Sequence, residues 1–276
     1  MKTILIPTED HDNVSAVLEA ALLVARAFGS YMEGVAVRPA AAAYVTLEPV
    51  SGLAIPGADQ GEAARAARAQ FESFMQAHGV PQAAQEPAGL SYGWPRAEAA
   101  DDSFIGSHGR VFDLIALGRP GPAPQNPRRA PLEAALFESG RPVLIVPEAA
   151  PRTLARNVLI AWNGSTEQAR TNAFAMPLLR LAETVTVLTV EGGTTPGPSG
   201  EEAARHLRRN GIKATAVTVK PGTRASGEVI LDHAASLGCD LLVKSAYTQS
   251  RLRQMIFGGA TRHILAHAPL PVLMAH

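Results

Sequence analysis

The sequence predicts an α/β fold, with two doubly wound five-stranded parallel sheets in tandem. Three observations carry this. The chain ends the same way twice: Asp113-Leu-Ile-Ala-Leu-Gly-Arg leads by a loop and short helix to Arg141-Pro-Val-Leu-Ile-Val-Pro147, and Asp240-Leu-Leu-Val-Lys-Ser-Ala leads to Leu270-Pro-Val-Leu-Met-Ala-His276. The two halves also begin alike, Lys2-Thr-Ile-Leu-Ile-Pro7 matching Arg156-Asn-Val-Leu-Ile-Ala161. A repeat of domain length means paired domains, whereas solenoid periods run about 20–50 residues. Finally, short apolar runs alternate with helical patterns, which implies parallel strands joined by right-handed crossovers.

The second half shows the plan more plainly. Residues 157–162 form a short apolar run, read as a buried strand. Ser165 can cap a helix that continues to about Ala182. Residues 184–190 are β-branched and alternating, and 192–200 form a loop rich in Gly, Pro and Thr. A polar helix over 201–210 stops at Gly211. Residues 213–219 alternate as a strand does. A helix over 226–237 carries Val229, Ile230, Ala234 and Leu237 on its apolar stripe and ends at Gly238. An apolar run at 240–244, a helix over 259–268 and a strand over 271–275 complete five strands and four helices.

The first half repeats this with two changes. Residues 39–60 are an insertion after the second strand. Residues 120–131 replace the loop after the fourth strand, and five of those twelve are Pro. Proline has no N–H to donate, so this loop cannot cradle a phosphate. The expected domains are 1–150 and 154–276, with the linker near Pro151.

Composition narrows the classes of function. Lys plus Arg equals Asp plus Glu, 25 each, which argues against a nucleic-acid-coating protein. The chain has one cysteine, Cys239, so no internal disulfide can form and a reducing compartment is expected. Met1 leads directly into an alternating strand, so no signal peptide is expected. No apolar run approaches the roughly 20 residues of a membrane span. A cytoplasmic protein without membrane or nucleic-acid partners is the expectation.

In an open parallel sheet, ligands bind beyond the carboxyl ends of the strands where the strand order reverses. For the order 3-2-1-4-5, that point in the second half lies between Trp162-Asn163-Gly164-Ser165 and Lys244-Ser245-Ala246-Tyr247-Thr248. The last helix starts at Gly258-Gly259-Ala260-Thr261, and its free N–H groups favour an anion there. Lys244, Arg251 and Arg253 add positive charge.

These segments resemble the C-terminal signature of the universal stress protein (UspA) family, from Ser245 through Gly258-Gly-Ala-Thr-Arg-His to Ala268-Pro-Leu-Pro-Val-Leu. The resemblance extends to Val158-Leu-Ile-Ala-Trp-Asn-Gly-Ser165 and covers both halves, so the chain looks like a tandem, Rossmann-like member. It implies a stress-response or regulatory protein, with no dedicated catalysis. Nucleotide-binding members carry G-x2-G-x9-G followed by Ser or Thr, which wraps the phosphates of ATP. Carried over, the glycines fall on Ser245, Thr248 and Gly258, and the hydroxyl position on Gly259. The acidic residue that contacts nucleotide falls on Asn163 here and on Glu9 in the first half. There Gly118-x2-Gly121 is kept, but Pro131 stands at the third glycine. The candidate nucleotide-binding set is Asn163, Val190, Lys244, Ser245, Thr248, Gly258, Gly259 and Ala260, with an adenine nucleotide such as ATP as the implied ligand. If the lost glycines strain the loop, restoring Ser245→Gly and Thr248→Gly together tightens ATP binding.

The resemblance also implies assembly through the last strands, so residues 142–146 and 271–275 are expected to meet as an intramolecular pseudo-dimer; a homodimer is also open. Two other readings stand beside this one: a ligand-free interaction module using the 39–60 insertion, and an adenylyl-transferring enzyme, for which no motif is present. His263 and His267 have metal-ligand spacing but no third ligand, so no metal site is expected. Asp232, His233 and Ser236 are too close on one helix to act as a triad. Cys239 reads as a structural thiol. Trp94 and Trp162 read as packing residues that could also stack on a base.

Overall fold

The computed structural model describes residues 1–9, 11–38, 60–84, 89–96, 98–246 and 258–276. Of the expected 39–60 insertion, residues 39–59 lie outside the described residues, and its last residue, Gln60, opens a helix. The chain divides into two compact units, Met1–Arg141 and Pro142–His276. Among the described residues no helix is long and apolar enough to cross a membrane.

In the first unit, β1 (Thr3–Thr8), β2 (Tyr31–Arg38), β3 (Ser91–Gly93) and β5 (Leu114–Gly118) pair in the order β3-β2-β1-β5. All of these pairs are parallel. A two-residue strand, β4 (Ala100–Asp101), adds to β2 at Val37 and Arg38. The helices are α1 (Val14–Phe28), α2 (Gln60–Ala77), α3 (Asp102–His108) and α4 (Arg129–Glu138). α1 is built from Ala, Val and Leu, buries one face, and stops where Gly29 turns left-handed at φ 59°. Ile4, Leu5, Met32, Phe71 and Met75 fill the core. Phe71 meets Tyr92 edge-on at 5.8 Å and Trp94 at 5.4 Å, so Trp94 packs in this core. Gly34 makes room for it: a Cβ there would lie 2.4 Å from the Trp94 ring.

The second unit begins with β6 (Val143–Val146) and continues β7 (Asn157–Ala161), α5 (Thr166–Leu179), β8 (Thr184–Val190), α6 (Gly200–Arg209), β9 (Ala214–Val219), α7 (Ser226–Ser236), β10 (Leu241–Val243), α8 (Gly259–His267) and β11 (Val272–Met274). Its order is β6-β11-β10-β7-β8-β9. From β11 to β9 the pairs are parallel and follow the expected 3-2-1-4-5 arrangement. β6 runs antiparallel to β11, with Leu144 opposite Leu273. That pairing brings together the two Pro-Val-Leu segments and covers a sheet edge that would otherwise stay open. The helix starts follow local chemistry. Ser165 accepts from the Gln168 N–H, and Ser199 and Glu202 form a reciprocal capping box on α6. α5 ends at Leu179, three residues before the expected Ala182, two residues beyond the Pro177 it contains.

Candidate functional site

The carboxyl ends of β7 and β10 and the start of α8 enclose a cleft of about 330 Å³ in the second unit. That is at the small end of the roughly 300–1,000 Å³ of ligand pockets. Of the candidate residues, Asn163, Val190, Lys244, Gly258, Gly259 and Ala260 line it. Trp162, the Gly192–Thr195 segment, Ser226, Ile230 and Thr261 complete the wall. The 192–200 loop reads in the sequence only as a Gly/Thr-rich connection. Its role follows from how it folds back: the Thr195 N–H donates to the Asn163 carbonyl at 2.8 Å. Gly164, at φ 78°, and Gly197 permit this closure, since a Cβ on Gly197 would lie 2.5 Å from the Gly164 carbonyl. Trp162 anchors the same loop through its indole N–H, which donates to the Pro198 carbonyl at 2.8 Å.

The hydrogen bonds decide what the cleft can offer. Asn163 Oδ1 accepts from the Ser165 N–H at 3.1 Å, so the acceptor end of this amide serves the turn. The Val190 carbonyl accepts from Gly193 at 3.3 Å. The donors that remain include the Asn163 NH2, the Lys244 ammonium and the first amides of α8, beside the hydroxyls of Thr194, Ser226 and Thr261. No carboxylate is among the described residues lining the cleft. Lys244 is 5% exposed, and its Nζ donates to the Ser245 carbonyl at 3.0 Å. Burial brings its amine down to about 8. The arrangement favours an anion rich in acceptors.

Ser245 does not line the cleft. It is fully buried, and its N–H donates to Gln168 Oε1 at 2.8 Å, an acceptor on α5 that no sequence motif marks. Its Oγ has no hydrogen-bond partner among the described residues. Its backbone is not left-handed, because Ala155 is the only non-glycine with positive φ among the described residues. The expected strain at Ser245 is therefore absent. Thr248, with Tyr247, Arg251 and Arg253, lies outside the described residues. We expect Ser245→Gly alone to change ATP affinity less than about threefold, because the roughly 1–3 kcal/mol of backbone strain is not there to release. Titration calorimetry showing a tenfold gain would contradict this.

The equivalent corner of the first unit is filled from within. Glu9, at the Asn163 position, pairs with Arg128, whose Nε lies 2.5 Å from its Oε1. The same guanidinium grips Asp102 through two bonds, at 3.0 and 2.7 Å. Burial pushes the Glu9 carboxyl up, and the adjacent Arg128 only partly offsets that. The Pro-rich loop packs on the segment before α1 and on the end of β5: the Asp12 N–H donates to the Gln125 carbonyl, and a Cβ on Gly118 would meet Pro127 at 2.5 Å. Sequence alone shows that five of this loop's twelve residues bring no backbone N–H. It does not show that Arg128 neutralises the acid.

The remaining candidates are dispersed. Asp232 pairs with Arg224 at 2.5 Å, while the His233 ring contacts the Val229 carbonyl, so no triad forms. His263 and His267 stack on each other at 4.4 Å. Burial and Asp240 push the Cys239 thiol up to about 11, which keeps it protonated.

The family model of the universal stress protein family matches residues 155–276. Over the whole chain, the fold is similar to that of a universal stress protein from Archaeoglobus fulgidus, with TM-score 0.73 and 16% identity, covering 99% of this chain and 97% of that one. A putative universal stress protein from Pseudomonas aeruginosa gives TM-score 0.60 at 16% identity, covering 100% and 93%. No curated protein matches the chain.

Proposed function

We propose, on the premise that residues 155–276 match the universal stress protein family model, that this chain is a stress-response regulatory protein binding an adenine nucleotide in its second domain. The observation that supports this most is the coincidence of a cleft at the sheet's reversal point with the uncapped start of α8. The phosphates meet the α8 amides, while Trp162 and Val190 offer apolar surface for the base. One site per chain is expected, because Arg128 already occupies the acid of the first domain. In this reading the protein acts by binding rather than by turnover. A cytoplasmic location fits its single cysteine.

Calorimetry with ATP tests this and should give one site per chain. Scanning fluorimetry should show a raised Tm, since ligand at about a hundred times Kd adds about 2.7 kcal/mol to the native state it binds. Two equivalent sites, or no shift with ATP, ADP or AMP at saturating concentration, would refute the reading; the latter outcome favours a ligand-free interaction module.

A further inference from the structure

A buried lysine normally pairs with a carboxylate, because moving an ammonium out of water without a counter-charge is costly. Lys244 has no such partner among the described residues, and burial is the sole cause of its shift. Among the described residues its one hydrogen bond goes to the neighbouring Ser245 carbonyl, which leaves the ammonium two further N–H donors. It lines the cleft together with Gly258, Gly259 and Ala260 at the open start of α8. Among the described residues, a Cβ at Gly259 would touch nothing within 4 Å.

The elements packed around the cleft carry other charged groups: Glu167 and Arg170 on α5, Glu228, Asp232 and His233 on α7, and Arg262, His263 and His267 on α8. None of them lines the cleft. Lys244 is its only charged side chain among the described residues. Binding of an anion therefore supplies the counter-charge that the fold withholds, and the anion meets its full attraction only while the amine holds its proton.

We propose that Lys244 anchors one terminal phosphate of the ligand in this cleft, and that occupancy of the site is thereby coupled to protonation of a single buried amine. The proposal rests on the nucleotide reading for the identity of the ligand, but not for the anion. It makes the site a proton-linked one: the free protein gives up the Lys244 proton as pH rises through about 8, and the bound anion holds it on.

Calorimetry with ATP, and separately with inorganic sulfate, tests this at several pH values in two buffers of different ionisation enthalpy. Sulfate keeps a constant charge throughout. ATP affinity should fall roughly thirtyfold between about pH 7 and about pH 9.5, as expected for a group titrating near 8 in the free protein. Binding at alkaline pH should take up a proton. Lys244→Arg should bind with no such fall, and Lys244→Met should bind weakly at every pH. A flat ATP profile in the wild type, or unchanged affinity in Lys244→Met, would overturn the anchor and leave the nucleotide reading standing. A Lys244-dependent profile with sulfate, with ATP no tighter than sulfate, would uphold the anchor and remove the adenine. Failure of both ligands to bind near pH 7 would overturn both.

Discussion

Lys244→Met should stabilise the second domain at pH 7 by up to about 3 kcal/mol, the equivalent of roughly 2.5 pKa units at about 1.4 kcal/mol each. The amine falls from its ordinary 10.5 to about 8 because burial penalises the charged form. The sign follows from proton counting. Between about 8 and 10.5 the unfolded chain binds the proton and the folded chain does not, so wild-type stability rises with pH across that window. Below it the cost is present in full; above it the cost is gone. Methionine fills a similar volume with no charge to desolvate. The gap between the two proteins should therefore be widest at pH 7 and close near the upper edge of that window. Denaturant unfolding of both at the two pH values measures it. A methionine variant less stable at both would show that the fold itself satisfies this ammonium. A stabilising loss of this kind is what a group retained for binding predicts.

Arg128→Ala should lower the stability of the first domain by about 2 kcal/mol at pH 7. Removing one partner of a fully buried ion pair costs roughly 3–5 kcal/mol. Arg128 keeps 31% of its side chain in solvent, and screening there reduces the figure. The penalty comes from what remains: the Glu9 and Asp102 side chains are 10% and 14% exposed, and would face each other without a counter-charge. For a domain near 150 residues, about 2 kcal/mol corresponds to a Tm lower by roughly 5 °C. The pH response has a definite sign. Burial already holds the Glu9 carboxyl above 4.5, and loss of the arginine raises it further. A carboxyl raised in the folded state binds its proton more readily there, so folding strengthens as pH falls through that raised value. The deficit should therefore shrink near pH 5, and adding Glu9→Gln should recover part of it at pH 7. Thermal unfolding at the two pH values checks this. An Arg128→Ala protein with an unchanged Tm would mean that the ion pair contributes nothing net.

The fold was legible because its signals are local and repeated. Short apolar or alternating runs, with Gly, Ser or Pro at their ends, specify strands and helices whatever surrounds them. The matching Pro-Val-Leu segments also pointed to the pairing of β6 with β11. The site was legible only in outline. Asn163, Lys244 and Gly258–Ala260 come together because the strand order fixes where strands 1 and 4 end. Nothing in the spacing revealed that Gln168 claims the Ser245 N–H, or that Ser165 and Gly193 occupy the Asn163 and Val190 acceptors.

The sequence by itself determined the class of fold, the duplication, the strand order and the missing backbone N–H groups of the Pro-rich loop. Each of these depends on hydrophobic period, on chain direction or on the covalent structure of proline. Only the tertiary structure decided the charges. Lys244 has no carboxylate among the described residues of the cleft, whereas Glu9 has Arg128 from a loop 119 positions away. Whether a titratable group is buried, and what lies opposite it, depends on contacts distant in sequence. Burial and counter-charge together set whether it is a structural pair or an open site.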